Sequence, residues 1–139
     1  MKILLTTIPS DSHMWNLVFM QLFLEEHGHE VINLGACVPI DLIIREAHYH
    51  RPGMIVVSSI NGHGNIEGRE LATAVKACDL LKNINLVIGG KLSTKGINNI
   101  DYVSTLKQAG FDEVYTEDSS IESFLTSIEE INRTIYQNA

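Results

Sequence analysis

Met54-Ile55-Val56-Val57-Ser58-Ser59 is entered through Pro52-Gly53 and left through Ile60-Asn61-Gly62-His63-Gly64. A short apolar run without polar alternation suits a strand of a parallel sheet covered on both faces. Similar runs lie on either side of it: Ile3–Ile8 and Val31–Leu34 before, Leu86–Ile88 and Glu113–Tyr115 after. The segments between them read as helices, at Met14–Glu26, Ile40–His50, Ile66–Lys82, Tyr102–Ala109 and Ser119–Tyr136. In the first of these, Leu17, Met20 and Leu24 recur at helical spacing and form one stripe for burial. Gly28 after the first helix, Pro52-Gly53 before the third strand and Gly110 after the fourth helix supply the breaks.

Five strands alternating with five helices, with short connections and no linker or repeat, predict a single α/β domain over residues 1–139. The expected architecture is doubly wound and Rossmann-like, a five-stranded parallel sheet in the flavodoxin-like order 2-1-3-4-5. The chain has 139 residues, 45% hydrophobic and 19% charged, in keeping with one soluble domain. Its formal charge of −7 argues against nucleic acid as a partner. Five acids from Glu117 onward against Arg133 alone read as a solvated helix face. Cys37 and Cys78 form no C-x-x-C pair and read as reduced thiols of a cytoplasmic protein. Ile3–Ile8, stopped by Pro9 and Asp11, is too short for a signal peptide or a membrane span.

Ligands of open α/β sheets bind beyond the carboxyl ends of the strands, where the strand order reverses. In the order 2-1-3-4-5 that point lies between strands one and three, with strand four next. Three unusual loops follow these strands: Pro9-Ser10-Asp11-Ser12-His13, Ser58-Ser59-Ile60-Asn61-Gly62-His63-Gly64 and Gly89-Gly90-Lys91-Leu92-Ser93-Thr94. They are expected to share one rim. Asp11 stands two residues before His13, so its carboxylate can bond one imidazole nitrogen and leave the other a better metal ligand. Such a pair in a loop also serves as a cap or a surface contact. Gly89-Gly90 exposes backbone to a bulky ligand or simply makes a tight turn. Ser58 and Ser59 offer hydroxyls to a ligand or to nearby backbone.

Taken together, Asp11-Ser12-His13-Met14-Trp15-Asn16, then Ser58-Ser59-Ile60, then Gly89-Gly90 resemble the Asp-x-His-x-x-Gly, Ser-x-Leu, Gly-Gly pattern of the cobalamin (vitamin B12)-binding domain family. Within it the likeness is to the small cobalamin-binding subunits of glutamate mutase (methylaspartate mutase). It runs from about Lys2 to Ile131 and includes Val57-Ser58-Ser59, Ile88-Gly89-Gly90 and Ala109-Gly110-Phe111-Asp112-Glu113-Val114-Tyr115. The resemblance implies a cofactor bound base-off, its dimethylbenzimidazole replaced on cobalt by His13, with Asp11 as the hydrogen-bond partner of that ligand. It implies that Ser58 bonds the displaced nucleotide tail, with Ser59 also among the cofactor-binding residues, that Ile60 lines the tail's cleft, and that Gly89-Gly90 let the tail pass. Lys91, Leu92, Ser93 and Thr94 would continue the far wall, and Ser10, Ser12 and Met14 would flank the ligand. Two positions depart from the pattern: Asn16 stands for the motif glycine, and Ile60 for its leucine.

The activity implied is that of an adenosylcobalamin-dependent carbon-skeleton mutase, an isomerase, in which this chain carries the cofactor and no catalytic side chain. Only Arg45, Arg51, Arg69 and Arg133 occur, with no sign of an arginine clamp for a substrate carboxylate. A larger catalytic subunit and a hetero-oligomer are therefore expected. A corrinoid carrier or sensor serving a methyltransferase or a regulator would use the same motif. A phospho-receiver does not fit, since strand three ends in Ser58-Ser59 rather than an acceptor aspartate. A flavin carrier remains an alternative for the serine-rich first loop. His27, His29, His48 and His50 read as turn and helix-end residues, and His63 lies near the rim. Trp15 is expected in the core.

Overall fold

A computed structural model describes residues 1–94 and 101–137, the side chains of 136 and 137 excepted. The order of elements is β1 (Lys2–Thr6), α1 (Trp15–Glu26), β2 (Glu30–Asn33), α2 (Ile40–His50), β3 (Met54–Ser59), α3 (Gly64–Lys76), β4 (Asn85–Gly90), α4 (Asp101–Ala109), β5 (Glu113–Tyr115) and α5 (Ile121–Gln137). The sheet runs β2-β1-β3-β4-β5, every pairing parallel. This is the expected flavodoxin-like, doubly wound sheet, with the strand order reversing between β1 and β3.

Alternate strand residues feed two separate cores, as the period of two requires. Ile3, Leu5, Met54, Val56 and Val87 pack with Leu17 and Leu24 of α1 and with Phe124 and Ile128 of α5. Leu4, Ile55, Val57, Leu86 and Ile88 pack with Ile43 of α2, Leu71 and Val75 of α3, and Leu106 of α4. Burial on both faces explains why β3 carries no polar alternation. All six of its residues are buried.

Several boundaries differ from the sequence reading, each for a local reason. Helix α3 begins at Gly64, because the His63 carbonyl already accepts from the amides of Ile66 and Glu67. It stops at Lys76 rather than Lys82. From there, tight turns through Cys78 return Leu81 to the core, and Lys76 Nζ bonds the Lys82 carbonyl at 2.9 Å. Gly89 and Gly90 are the last residues of β4, in register with Ser58 and Ser59, and not a loop beyond it.

Trp15 is not a core residue. It is 84% exposed. Helix α1 is apolar nearly all round, and at about 3.6 residues per turn Trp15, Phe19 and Leu22 fall opposite Leu17 and Leu24. Leu17 and Leu24 face the sheet, so the other three face outward, with Phe19 and Leu22 more than half exposed. Among the described residues no helix is long and apolar enough to cross a membrane. Cys37 and Cys78 are free.

Candidate functional site

The chain leaves β1 through Thr7 and Ile8 and turns at once, the Asp11 amide bonding the Ile8 carbonyl at 3.2 Å. The Asp11 carbonyl accepts from the Cys37 amide at 2.8 Å, so the loop after β2 pins the turn from the other side. This buries the Asp11 side chain completely. Its Oδ1 accepts from the His13 amide at 3.0 Å and lies 2.7 Å from His13 Nδ1. Its Oδ2 accepts from the Ser59 hydroxyl at 2.8 Å and the Ile60 amide at 2.9 Å. One carboxylate thus ties the loop after β1 to the end of β3.

Burial alone would raise the Asp11 pKa. The two backbone amides, His13 and the Ser59 hydroxyl outweigh it and bring the value down from 3.8 to about 2. At neutral pH Asp11 is ionised and can only accept. A neutral His13 ring therefore carries its proton on Nδ1 and keeps the lone pair on Nε2. The ring is half exposed, and no hydrogen bond engages Nε2 among the described residues. Ser12, Met14, Trp15, Asn16 and Ile60 surround His13 in an open depression.

Behind that depression lies an apolar cleft of about 250 Å³ on the α1/α5 side of the sheet. Ser58, Gly89 and Gly90 form its floor, and Met20, Tyr115 and Phe124 its walls. Gly90 is needed for the backbone to exist here, and Gly89 is only closely packed. A Cβ on Gly90, at φ +119°, would lie 2.1 Å from the Ser59 carbonyl oxygen, and one on Gly89 would press Tyr115 Cβ at 3.1 Å. Asn16 stands between depression and cleft, its Nδ2 donating to Ser58 Oγ at 3.0 Å and to the Ser58 carbonyl at 3.3 Å.

The expected residues divide accordingly. Asp11, His13, Ser59 and Ile60 form one hydrogen-bonded cluster, with Ser12 and Met14 beside it. Ser58, Gly89 and Gly90 line the cleft, whereas Ser59 turns to Asp11. Ser10 bonds Glu67 and accepts from Asn61 Nδ2 at 2.9 Å, bracing the loops after β1 and β3. Lys91, Leu92, Ser93 and Thr94 are not among the cleft-lining residues. Leu92 is buried in the core on the α3 side, against Gly64, and Thr94 lies against Gly62. The Asn65 side chain and amide both bond the Leu92 carbonyl, holding this loop to the one after β3. His63 is exposed and begins α3 without touching His13's cluster.

Sequence reasoning passed over the far wall, formed by Tyr115, Thr116, Glu117, Ser119, Ser120 and Ile121. The signal was available. Thr116–Ser120 follow β5, so the strand-end rule that selected the other loops applies to this one.

The family described as the B12 binding domain matches residues 1–117. The chain belongs to that family. Two relatives, both named glutamate mutase sigma subunit, bracket it across nearly their whole length. The Fusobacterium nucleatum protein is 30% identical over 127 residues, 91% of this chain and 93% of its own. The Treponema denticola protein is 32% identical over 130 residues, 91% of each chain. Among solved structures, a cobalamin-binding protein from Desulfitobacterium hafniense shares the fold at a TM-score of 0.67 and 24% identity, covering 82% of this chain and 51% of its own. As a B12 binding domain the chain takes a cobalamin, and the rim above is where this fold places ligands.

Proposed function

We propose that this chain is the cobalamin-binding small subunit of an adenosylcobalamin-dependent carbon-skeleton mutase of the glutamate mutase type. In this reading it holds the cofactor base-off, with His13 Nε2 as the axial ligand of cobalt. The observation that carries it is the Asp11–His13 pair: a buried carboxylate fixes Nδ1 at 2.7 Å and leaves Nε2 open beside a cleft.

The donor set suits a corrinoid. Among the described residues no three His, Cys, Asp or Glu side chains gather, so a metal ion at His13 must bring its remaining ligands with it, as a corrin does. The apolar cleft behind Ser58 suits a heteroaromatic base, and Asn16 Oδ1 is a buried acceptor with no hydrogen-bond donor. Bound adenosylcobalamin supplies reversible cobalt–carbon homolysis.

The chain's own part is positional. Asp11 holds the His13 tautomer and orientation, and raises the basicity of Nε2. Ser59 and the Ile60 amide hold Asp11. Ser58 offers a hydroxyl to the displaced tail, Gly89 and Gly90 leave room beside it, and Met20, Tyr115 and Phe124 keep water from it. None of the four arginines borders the depression or the cleft. Substrate recognition accordingly belongs to a larger catalytic subunit, joined to this one as a hetero-oligomer. The relatives' name, sigma subunit, supports that division.

Titration with cobalamin tests the reading, with formation of the base-off, histidine-ligated visible spectrum as the expected result. A mutase assay with a glutamate mutase large subunit should give turnover only when both chains are present. Turnover by this chain alone, or a base-on spectrum, would overturn it.

A further inference from the structure

Helix α1 carries a face that the fold leaves uncovered. Trp15, Phe19, Leu22 and Glu26 follow one another at spacings of four, three and four. At about 100° per residue they fall within about 60° of one another, opposite Leu17 and Leu24. The three apolar side chains stay largely in water and expose roughly 450 Å² between them. The Phe19 ring is already ordered, stacked on Phe23 with centroids 6.2 Å apart. A lone domain seldom leaves an apolar patch of that size without a use for it.

The two ends of this face complement each other. At the start of α1, Met14 provides no side-chain cap and no acid stands in the first turn. The far end carries Glu26, where the helix dipole is negative and no basic residue of the last turn offsets it. Laid antiparallel over a second copy, α1 meets itself with Phe19 opposite Leu22 and each Glu26 opposite Trp15 of the other copy. Each carboxylate then faces uncapped first-turn amides and the indole N–H, which is a donor only. A parallel pair would instead set Glu26 against Glu26, like charge against like.

We propose that the outer face of α1 is a self-association surface, pairing antiparallel with α1 of a second copy about a two-fold axis between Phe19 and Leu22. Such an interface is isologous, so each contact is made twice. The two faces, with the side chains that flank them, bury about 1,000 Å², the lower end for a specific interface. The pair is accordingly weak, with a Kd on the order of 10–100 µM, and the chain is a monomer at low concentration. The pairing needs no cofactor and stands apart from the corrinoid reading.

Sedimentation velocity on the full chain without cobalamin, from about 1 to about 500 µM, tests the pairing across that range. The expected result is a monomer passing to a dimer, with Trp15 emission moving to shorter wavelength over the same range. Phe19→Glu and Leu22→Glu each place two charges inside the pair. Either should weaken it by about 100-fold or more, with circular dichroism and cobalamin titration as in the parent. Glu26→Lys separates pairing from folding. Lysine suits the C-terminus of its own helix and should not destabilise the chain, yet it should weaken the pair about 10-fold. A parent still monomeric at about 500 µM would overturn the proposal. A dimer that survives Phe19→Glu and Leu22→Glu, or that Glu26→Lys leaves as tight, would overturn it as well. A monomeric parent whose Trp15 emission shifts only on addition of a glutamate mutase large subunit would do the same and give the face to that subunit. The concentration dependence of the parent stands as a test even if a variant does not fold.

Discussion

The Asp11 carboxylate, wholly buried, lies 2.7 Å from Nδ1 of a His13 ring that is itself half exposed. The rigid partner is inside and the reactive one outside. The fixed end of the pair is held by four hydrogen bonds from two loops, while the free nitrogen remains available to a ligand.

Removing the ring should therefore cost the site and not the fold. His13→Ala removes one of the four hydrogen bonds to the buried Asp11 carboxylate, so it is expected to lower stability by about 1–2 kcal/mol while leaving the chain folded. Its cobalamin complex should lack the histidine-ligated spectrum. A spectrum identical to that of the parent would remove His13 from the ligand role.

Asp11→Asn tests the other half of the pair. A partner that orients a metal ligand is worth about 10- to 100-fold in affinity, and cobalamin binding should weaken by that amount.

The same carboxylate makes stability depend on pH. Its folded pKa of about 2 lies below the ordinary 3.8, so the stabilisation is fully present above about pH 4 and is lost as pH falls towards 2. The difference corresponds to about 2 kcal/mol. Urea unfolding of the parent at pH 7 and pH 2.5 should show this component, and Asp11→Asn should lack it.

Gly90→Ala should be among the most damaging single changes. It places a methyl 2.1 Å from a carbonyl oxygen at a backbone angle that side chains rarely adopt. A loss of about 3 kcal/mol or more is expected, read as a drop in the urea midpoint. Trp15→Ala, by contrast, should leave that midpoint almost unchanged, since the indole is 84% exposed.

The parallel sheet was legible because β3 is apolar on both faces, and only a doubly covered strand needs that. The Asp11–His13 pair was legible because two residues of separation suffice for the contact. Trp15 was not. A helix written Trp15-Asn16-Leu17-Val18-Phe19-Met20 offers burial in every direction, so periodicity cannot choose which side meets the sheet. The packing of Leu92 was not legible for another reason: it follows the Gly-Gly pair closely in sequence, yet its side chain fills the space that Gly64 leaves beside α3. The Asn16–Ser58 bond spans 42 residues and depends on how α1 lies against β3, which local pattern does not encode.

The outward position of Trp15 has an optical consequence. It is the chain's single tryptophan, and it borders the same depression as His13. Its emission in the free protein should be that of indole in water. A corrin ring seated against His13 absorbs in the near ultraviolet and would quench that emission by energy transfer. The protein thus carries its own fluorophore within reach of the ligand, and occupancy can be followed at concentrations too low for absorbance.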